Sequence, residues 1–171
     1  MSTWGATYYG DPCRECGFDW TIDVYAAIAF IERLPIEAVR HTTGVDGSRR
    51  RPSGGWTISE YVSHMADNLR NWAERVQASR LSGKNDVAGY DPDELAIARR
   101  YDALPLEAAL WSLSSSCRDW TEVLRPALTE GVVLIHEERG TQTAQDVVRN
   151  NTHDARHHLW DFDAIRAVGH A

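Results

Sequence analysis

The sequence holds no apolar run approaching the 20 or so residues that span a bilayer. Its start, M-S-T-W-G-A-T-Y-Y-G, lacks the basic opening and apolar core of a signal peptide. The expected location is therefore cytoplasmic. Cysteine is scarce: Cys13, Cys16 and Cys117 are too few, and odd in number, for a disulfide framework, which agrees with a reducing compartment. Basic charge is scarce as well, with 18 Lys and Arg against 25 Asp and Glu for a net charge of −7. The densest basic run, Ser48-Arg49-Arg50-Arg51, lies between glycines and a proline and reads as a solvated loop. An acidic chain without a basic stripe is a poor partner for nucleic acid, since phosphate contacts supply most of that affinity. Internal repeats, low-complexity tracts and domain linkers are also missing. The single β-like run, Val132-Val133-Leu134-Ile135, is too short to anchor a sheet. It is expected to form an extended connection, with a small hairpin through Glu137 to Thr141.

What remains is helical periodicity in a chain of 171 residues, enough for one domain with a substantial core. Residues 1–20, rich in Gly, aromatic and turn residues, predict an irregular arm. Ile22, Val24, Ala27, Ile28, Ile31 and Leu34 recur at helical spacing and predict a first helix over 21–40, with Pro35 kinking or breaking it near its end. His41 to Gly55, with four glycines and Pro52, reads as a loop in which His41 has no assigned role. Thr57 and Glu60 form a capping box that opens a second helix, whose Ile58, Val62, Met65, Leu69, Trp72 and Val76 face a core. Ser82 to Gly89 is a polar loop. Asp91-Pro92-Asp93-Glu94 starts a short helix reaching about Tyr101. Pro105 opens a third long helix that Pro126 should end or bend, and Cys117 on its apolar stripe reads as a small buried hydrophobe. Thr143 with Asp146 caps a fourth helix running to about Val168. The expected fold is all-α: residues 21–171 form a four-helix bundle with a long crossing between its second and third helices, preceded by the irregular arm of residues 1–20.

Two stretches carry chemistry. In N-T-H-D-A-R-H-H-L-W-D, His153 and His157 are four apart and share a helix face, so both imidazoles can reach one cation, while His158 points about 100° away. Two ligands are too few for a transition metal, so a third must come from elsewhere. His64, at the edge of the second helix's apolar stripe between Glu60 and Asp67, can be a satisfied core residue or that ligand. In the arm, C-R-E-C-G has the C-x-x-C spacing of half a zinc site or of a redox dithiol. A zinc ribbon needs a second Cys or His pair at comparable spacing, which the chain is read as lacking. The expected role of Cys13 and Cys16 is structural or incidental.

With G-W-T-I-S-E-Y-V-S-H-M-A-D in the second helix and N-T-H-D-A-R-H-H-L-W-D in the fourth, the sequence resembles the DinB-like superfamily of metal-dependent bundle proteins, which includes the mycothiol-dependent maleylpyruvate isomerase-like proteins. The resemblance covers about Ile22 to Val168. It implies a divalent metal held by His64, His153 and His157. Three imidazoles suit a transition metal, Zn or Ni first, better than Mg or Ca, and leave a position open for water, thiol or substrate. Glu60, Asp67, Asp154 and Asp161 lie within one turn of a proposed ligand and are candidates to orient an imidazole or move a proton. The expected function is a metal-dependent enzyme acting on a small molecule. It would be a hydrolase, or a transferase or isomerase with a low-molecular-weight thiol as cosubstrate. The alternative is a bundle that binds metal or a small ligand without turnover. No nucleic acid or membrane partner is expected, and a homodimer is compatible with the sequence.

Overall fold

In the computed structural model, residues 5–167 are described. After a helical turn, α1 (Ala6–Tyr9), the first long helix α2 covers Val24–Thr42. Asp23 caps it, accepting from the N–H groups of Tyr25 and Ala26. Pro35 lies inside α2 and does not end it. One backbone bond to Ile31 is lost there, but Leu34 and Ala38, both fully buried, hold the flanking turns against the core. The helix thus takes in His41, whose Nδ1 pairs with Asp163 at 2.8 Å.

The capping box at Thr57 and Glu60 is present and starts α3 (Ile58–Ser82), which ends at Gly83 in the left-handed region. The chain then crosses through the two-residue strand β1 (Asp86–Val87), the short helix α4 (Pro92–Ala98) and a 3₁₀ turn at Tyr101–Ala103. Pro105 caps α5 (Leu106–Glu130). Pro126, like Pro35, is absorbed within its helix, and α5 stops only at Gly131, φ 67°. Strands β2 (Val133–His136) and β3 (Gly140–Thr143) form the expected hairpin. The loop expected at 82–89 contributes more than foreseen, because β1 pairs parallel with β2 and completes a sheet of order β1-β2-β3. Helix α6 (Ala144–Ala167) follows at once. Its cap is reciprocal: Asp146 accepts from the Thr143 N–H, and Thr143 Oγ1 accepts from the Asp146 N–H. The expected end at Val168, like the chain's outer limits at residues 1 and 171, lies outside the described residues.

The long helices make a four-helix bundle. Helices α2 and α3 each pack on both α5 and α6, which leaves α2 and α3, consecutive among the long helices, on opposite corners. Between them lie Ile28, Ile31, Leu34, Met65, Leu69, Trp72, Leu113, Trp120, Leu124 and Phe162, all essentially inaccessible. Side chains of this size each stabilise by about 1.5 to 3 kcal/mol on burial, so the bundle has an ample core of its own. Cys117 belongs to that core, and burial pushes its thiol up to about 12. No helix among the described residues is long and apolar enough to cross a membrane.

Candidate functional site

Helix α6 sets the geometry. Val147, Val148, Ala155, Leu159, Phe162 and Ile165 are buried in the core, and Asn151 accepts a 2.8 Å bond from the fully buried Trp120 indole N–H. These contacts fix the rotation of α6. Two i, i+4 pairs then lie side by side, His153 with His157 and Asp154 with His158, offset by one residue and hence by about 100°. Each pair meets a different part of the chain.

Asp154 and His158 meet His64 of α3. Their ligand atoms and that of His64 lie within 4.8 Å of one another. Asp154 Oδ1 sits 3.4 Å from His64 Nε2 and 3.6 Å from His158 Nε2, while its Oδ2 accepts from the Asn68 amide at 2.9 Å. His158 Nδ1 is 2.9 Å from Asp161 Oδ2, and the other oxygen of Asp161 accepts from Arg51. Trp56 lies against His64 and Tyr61 against His158, ring centroids 4.8 and 5.0 Å apart. Burial opposes charge on His158, yet Asp154 and Asp161 outweigh it and hold the imidazole up to about 9. Burial likewise would raise Asp154, but the neighbouring His64 and His158 keep its carboxyl well below the usual range. The Nε2 atoms of the two imidazoles and the Asp154 oxygen between them are the donors that a dication would take.

This cluster lines a cavity of about 300 Å³. The wall also includes Tyr9, Trp72, Arg75, Tyr90, His136 and Arg139. The guanidinium groups of Arg75 and Arg139 lie over the Trp72 ring at 5.1 and 5.4 Å, and burial lowers the pKa of both. His136 Nδ1 accepts from the backbone N–H groups of Glu138 and Arg139, which puts the proton of the neutral ring on Nε2. Burial, then Arg139 and Arg75, hold His136 toward that neutral form.

The other pair, His153 and His157, meets the arm. The described residues group their ligand atoms with Cys13 and Cys16, again within 4.8 Å. The three histidines expected to share one ion are therefore divided, His64 in one cluster and His153 with His157 in the other.

Four carboxylates were candidates for a supporting role. Asp161 supports an imidazole, though that of His158 rather than His157. Asp154 is itself in ligand position. Glu60 is occupied by the Thr57 cap, and Asp67 accepts from Arg70, Arg99 and the Tyr101 hydroxyl on another face, at 2.7, 2.8 and 2.6 Å. Reading the spacing alone favoured the His-x-x-x-His pair and set His158 aside. The Asp154-x-x-x-His158 pair is equally regular, and only the phase of the apolar residues on α6 could have shown that it, and not its neighbour, turns toward α3.

Known proteins agree with this architecture. YfiT from Bacillus subtilis, a probable metal-dependent hydrolase with an unusual four-helix bundle topology, superimposes with a TM-score of 0.76 at 19% identity, over 87% of this chain and 91% of that one. At that identity the likeness speaks for the fold. A curated protein of Oceanobacillus iheyensis, named "Putative metal-dependent hydrolase OB0782", is 30% identical over 73 residues, which span 43% of this chain and 42% of that protein's length. The sequence matches the DinB superfamily over residues 26–161, a stretch that takes in α3 and α5, most of α2 and α6, and the His64, Asp154 and His158 cluster. On that match the chain belongs to the DinB superfamily.

Proposed function

We propose that the protein is a metal-dependent hydrolase of small, anionic molecules, with His64, Asp154 and His158 as the metal ligands. The observation that carries this reading is the convergence of those three side chains, ligand atoms within 4.8 Å, on the wall of a cavity of about 300 Å³. Two imidazoles and one carboxylate are a donor set that suits zinc and resembles catalytic rather than closed sites. A bound dication supplies electrophilic polarisation and acidifies the protic group in its remaining position.

The chain's own residues do the rest. Asp161 accepts from His158 Nδ1–H, which leaves the Nε2 lone pair for coordination, and Arg51 keeps Asp161 in place. Asn68 engages one Asp154 oxygen and so turns the other toward the two imidazoles. Arg75 and Arg139 give the wall positive charge to hold a substrate carboxylate or phosphate. His136, neutral and protonated at Nε2, can donate to charge developing on a carbonyl oxygen. Glu138, also on the wall, is the carboxylate available to take a proton.

A thiol-dependent transfer at the same site draws support from Arg75 and Arg139, since low-molecular-weight thiols commonly carry carboxylates. A ligand set containing Asp154 is harder than three imidazoles, however, and weakens the argument for a soft thiolate. The test is a panel of carboxylated esters and amides, with and without added thiol, on zinc-loaded protein. Metal-dependent hydrolysis that disappears in His158→Ala is expected. Turnover only with thiol would move the reaction to transfer, and no turnover by fully loaded protein would leave a binding protein.

A further inference from the structure

The arm and α6 enclose a second cluster that the cavity chemistry does not use. Cys13, Cys16, His153 and His157 each place a ligand atom within 4.8 Å of the other three. Bonds of about 2.0 to 2.3 Å at a tetrahedral centre put ligand atoms about 3.3 to 3.8 Å apart, so small side-chain shifts would close this group around an ion. The order C-x₂-C followed by H-x₃-H is the spacing of structural Cys₂His₂ zinc sites. The pair that the arm's cysteines need is thus supplied by α6.

Local structure presents the ligands. Cys13 O accepts from the Gly17 N–H at 2.9 Å, and the Cys13 N–H donates to Phe18 O at 2.8 Å. This tight turn requires φ 68° at Gly17, which only glycine adopts without strain. Without a metal, burial raises the Cys16 thiol to about 11, and the Phe18 N–H works against that rise. His157 Nε2 lies 3.5 Å from Glu15, an arrangement that puts the ring proton on that side and leaves the Nδ1 lone pair. His157 Nδ1 and His153 Nε2 are buried and have no hydrogen-bond partner among the described residues. Buried polar atoms rarely stay unpaired without a reason such as an unseen ion. Tyr9, Trp20 and Phe18 pack around the His153 ring at 4.4, 4.5 and 5.4 Å. Cys13 is buried, and the cysteines are free thiols rather than a disulfide.

We propose that Cys13, Cys16, His153 and His157 bind a structural zinc ion that clasps the amino-terminal arm to α6. Two thiolates neutralise the dication, and four protein ligands leave no position for substrate, so the site is closed. It meets the cavity at two wall residues: His153, one of its ligands, and Tyr9, carried by the arm it fastens.

The experiment uses full-length protein reduced with a phosphine, freed of small thiols and loaded with cobalt. Wild type should hold two ions per chain and show thiolate-to-cobalt charge-transfer absorption. Asp154→Ala should keep that absorption with one ion, whereas the Cys13→Ser/Cys16→Ser double variant should lose it, also keeping one. A single ion in wild type with the absorption present supports the clasp and removes the metal from the proposed hydrolase site. A single ion without the absorption overturns the clasp and leaves the hydrolase reading standing. Should the double variant fold poorly, the wild-type spectrum alone decides. Limited proteolysis gives a further reading, since chelation should open the arm to cleavage while the bundle resists, and an arm equally resistant with and without metal overturns the proposal.

Discussion

One helix presents two clusters of side chains with the donor atoms to hold a metal, and the two differ in almost every respect except their i, i+4 spacing. His153 and His157 face a loop that brings two cysteines and an aromatic enclosure. Asp154 and His158 face another helix that brings one histidine, and the three line a cavity that His153 also reaches. A displacement of one residue along α6 therefore changes the number of candidate donors from four to three. That count separates a closed site, whose ion can only fasten, from an open one, whose ion can act. Spacing creates the capacity to bind, and what lies across from the helix decides its use.

The comparison breaks most readily at the open site. His158→Ala or Asp154→Ala should abolish its metal occupancy and any hydrolysis while leaving the thiolate-ligated ion in place, as metal analysis beside the cobalt spectrum would read. Loss of both ions together would mean that the clusters are not independent. Next in size, Cys13→Ser/Cys16→Ser should lower the melting temperature and free the arm yet leave the helical circular dichroism signal nearly intact, because the bundle core does not include the arm. Collapse of that signal would show the clasp to be a folding element of the whole domain. Asp161→Asn should sharpen the contrast by weakening the open site about 10- to 100-fold in metal affinity without touching the closed one. Isothermal titration of the metal-free protein measures it, and equal weakening at both sites would contradict the assignment of Asp161 to His158.

Smaller effects belong to acids that the sequence placed near a ligand but the fold uses otherwise. Tyr101→Phe removes a hydroxyl bonded to Asp67 and should cost about 1 kcal/mol in chemical denaturation, with metal content unchanged. Glu60→Ala, which undoes half of a helix cap, should cost a few tenths to about 1 kcal/mol and likewise leave both ions bound. A change in metal content in either variant would return that carboxylate to the site.

The bundle was legible because its signals are local. Thr57 and Glu60 announce a helix start within four residues, and the apolar stripes of the long helices repeat every turn. The prolines misled slightly, since Pro35 and Pro126 act against a helix locally while packing of Leu34, Ala38, Leu124 and Ala127 carries it through. The site was half legible. Imidazoles four apart on one helix suggest a metal, but which pair faces which neighbour depends on the rotation of α6. Contacts with α2, α3 and α5, remote in sequence, fix that rotation. Cys13 and Cys16 lie more than a hundred residues from His153, and no local rule joins them.

The clusters also differ in their aromatic neighbours, and this gives each an optical signature. Trp20 lies 4.5 Å from His153, and Trp56 lies 4.8 Å from His64. A paramagnetic ion entering either cluster would extinguish the emission of the indole beside it at short range, while the remote Trp111, exposed on α5, would continue to fluoresce. Trp160 adds a second indole to the cysteine-bearing cluster, 5.4 Å from His157, so replacing Trp56 with Phe would leave that cluster's filling to be followed through Trp20 and Trp160, and replacing both of these would leave Trp56 to report on the other.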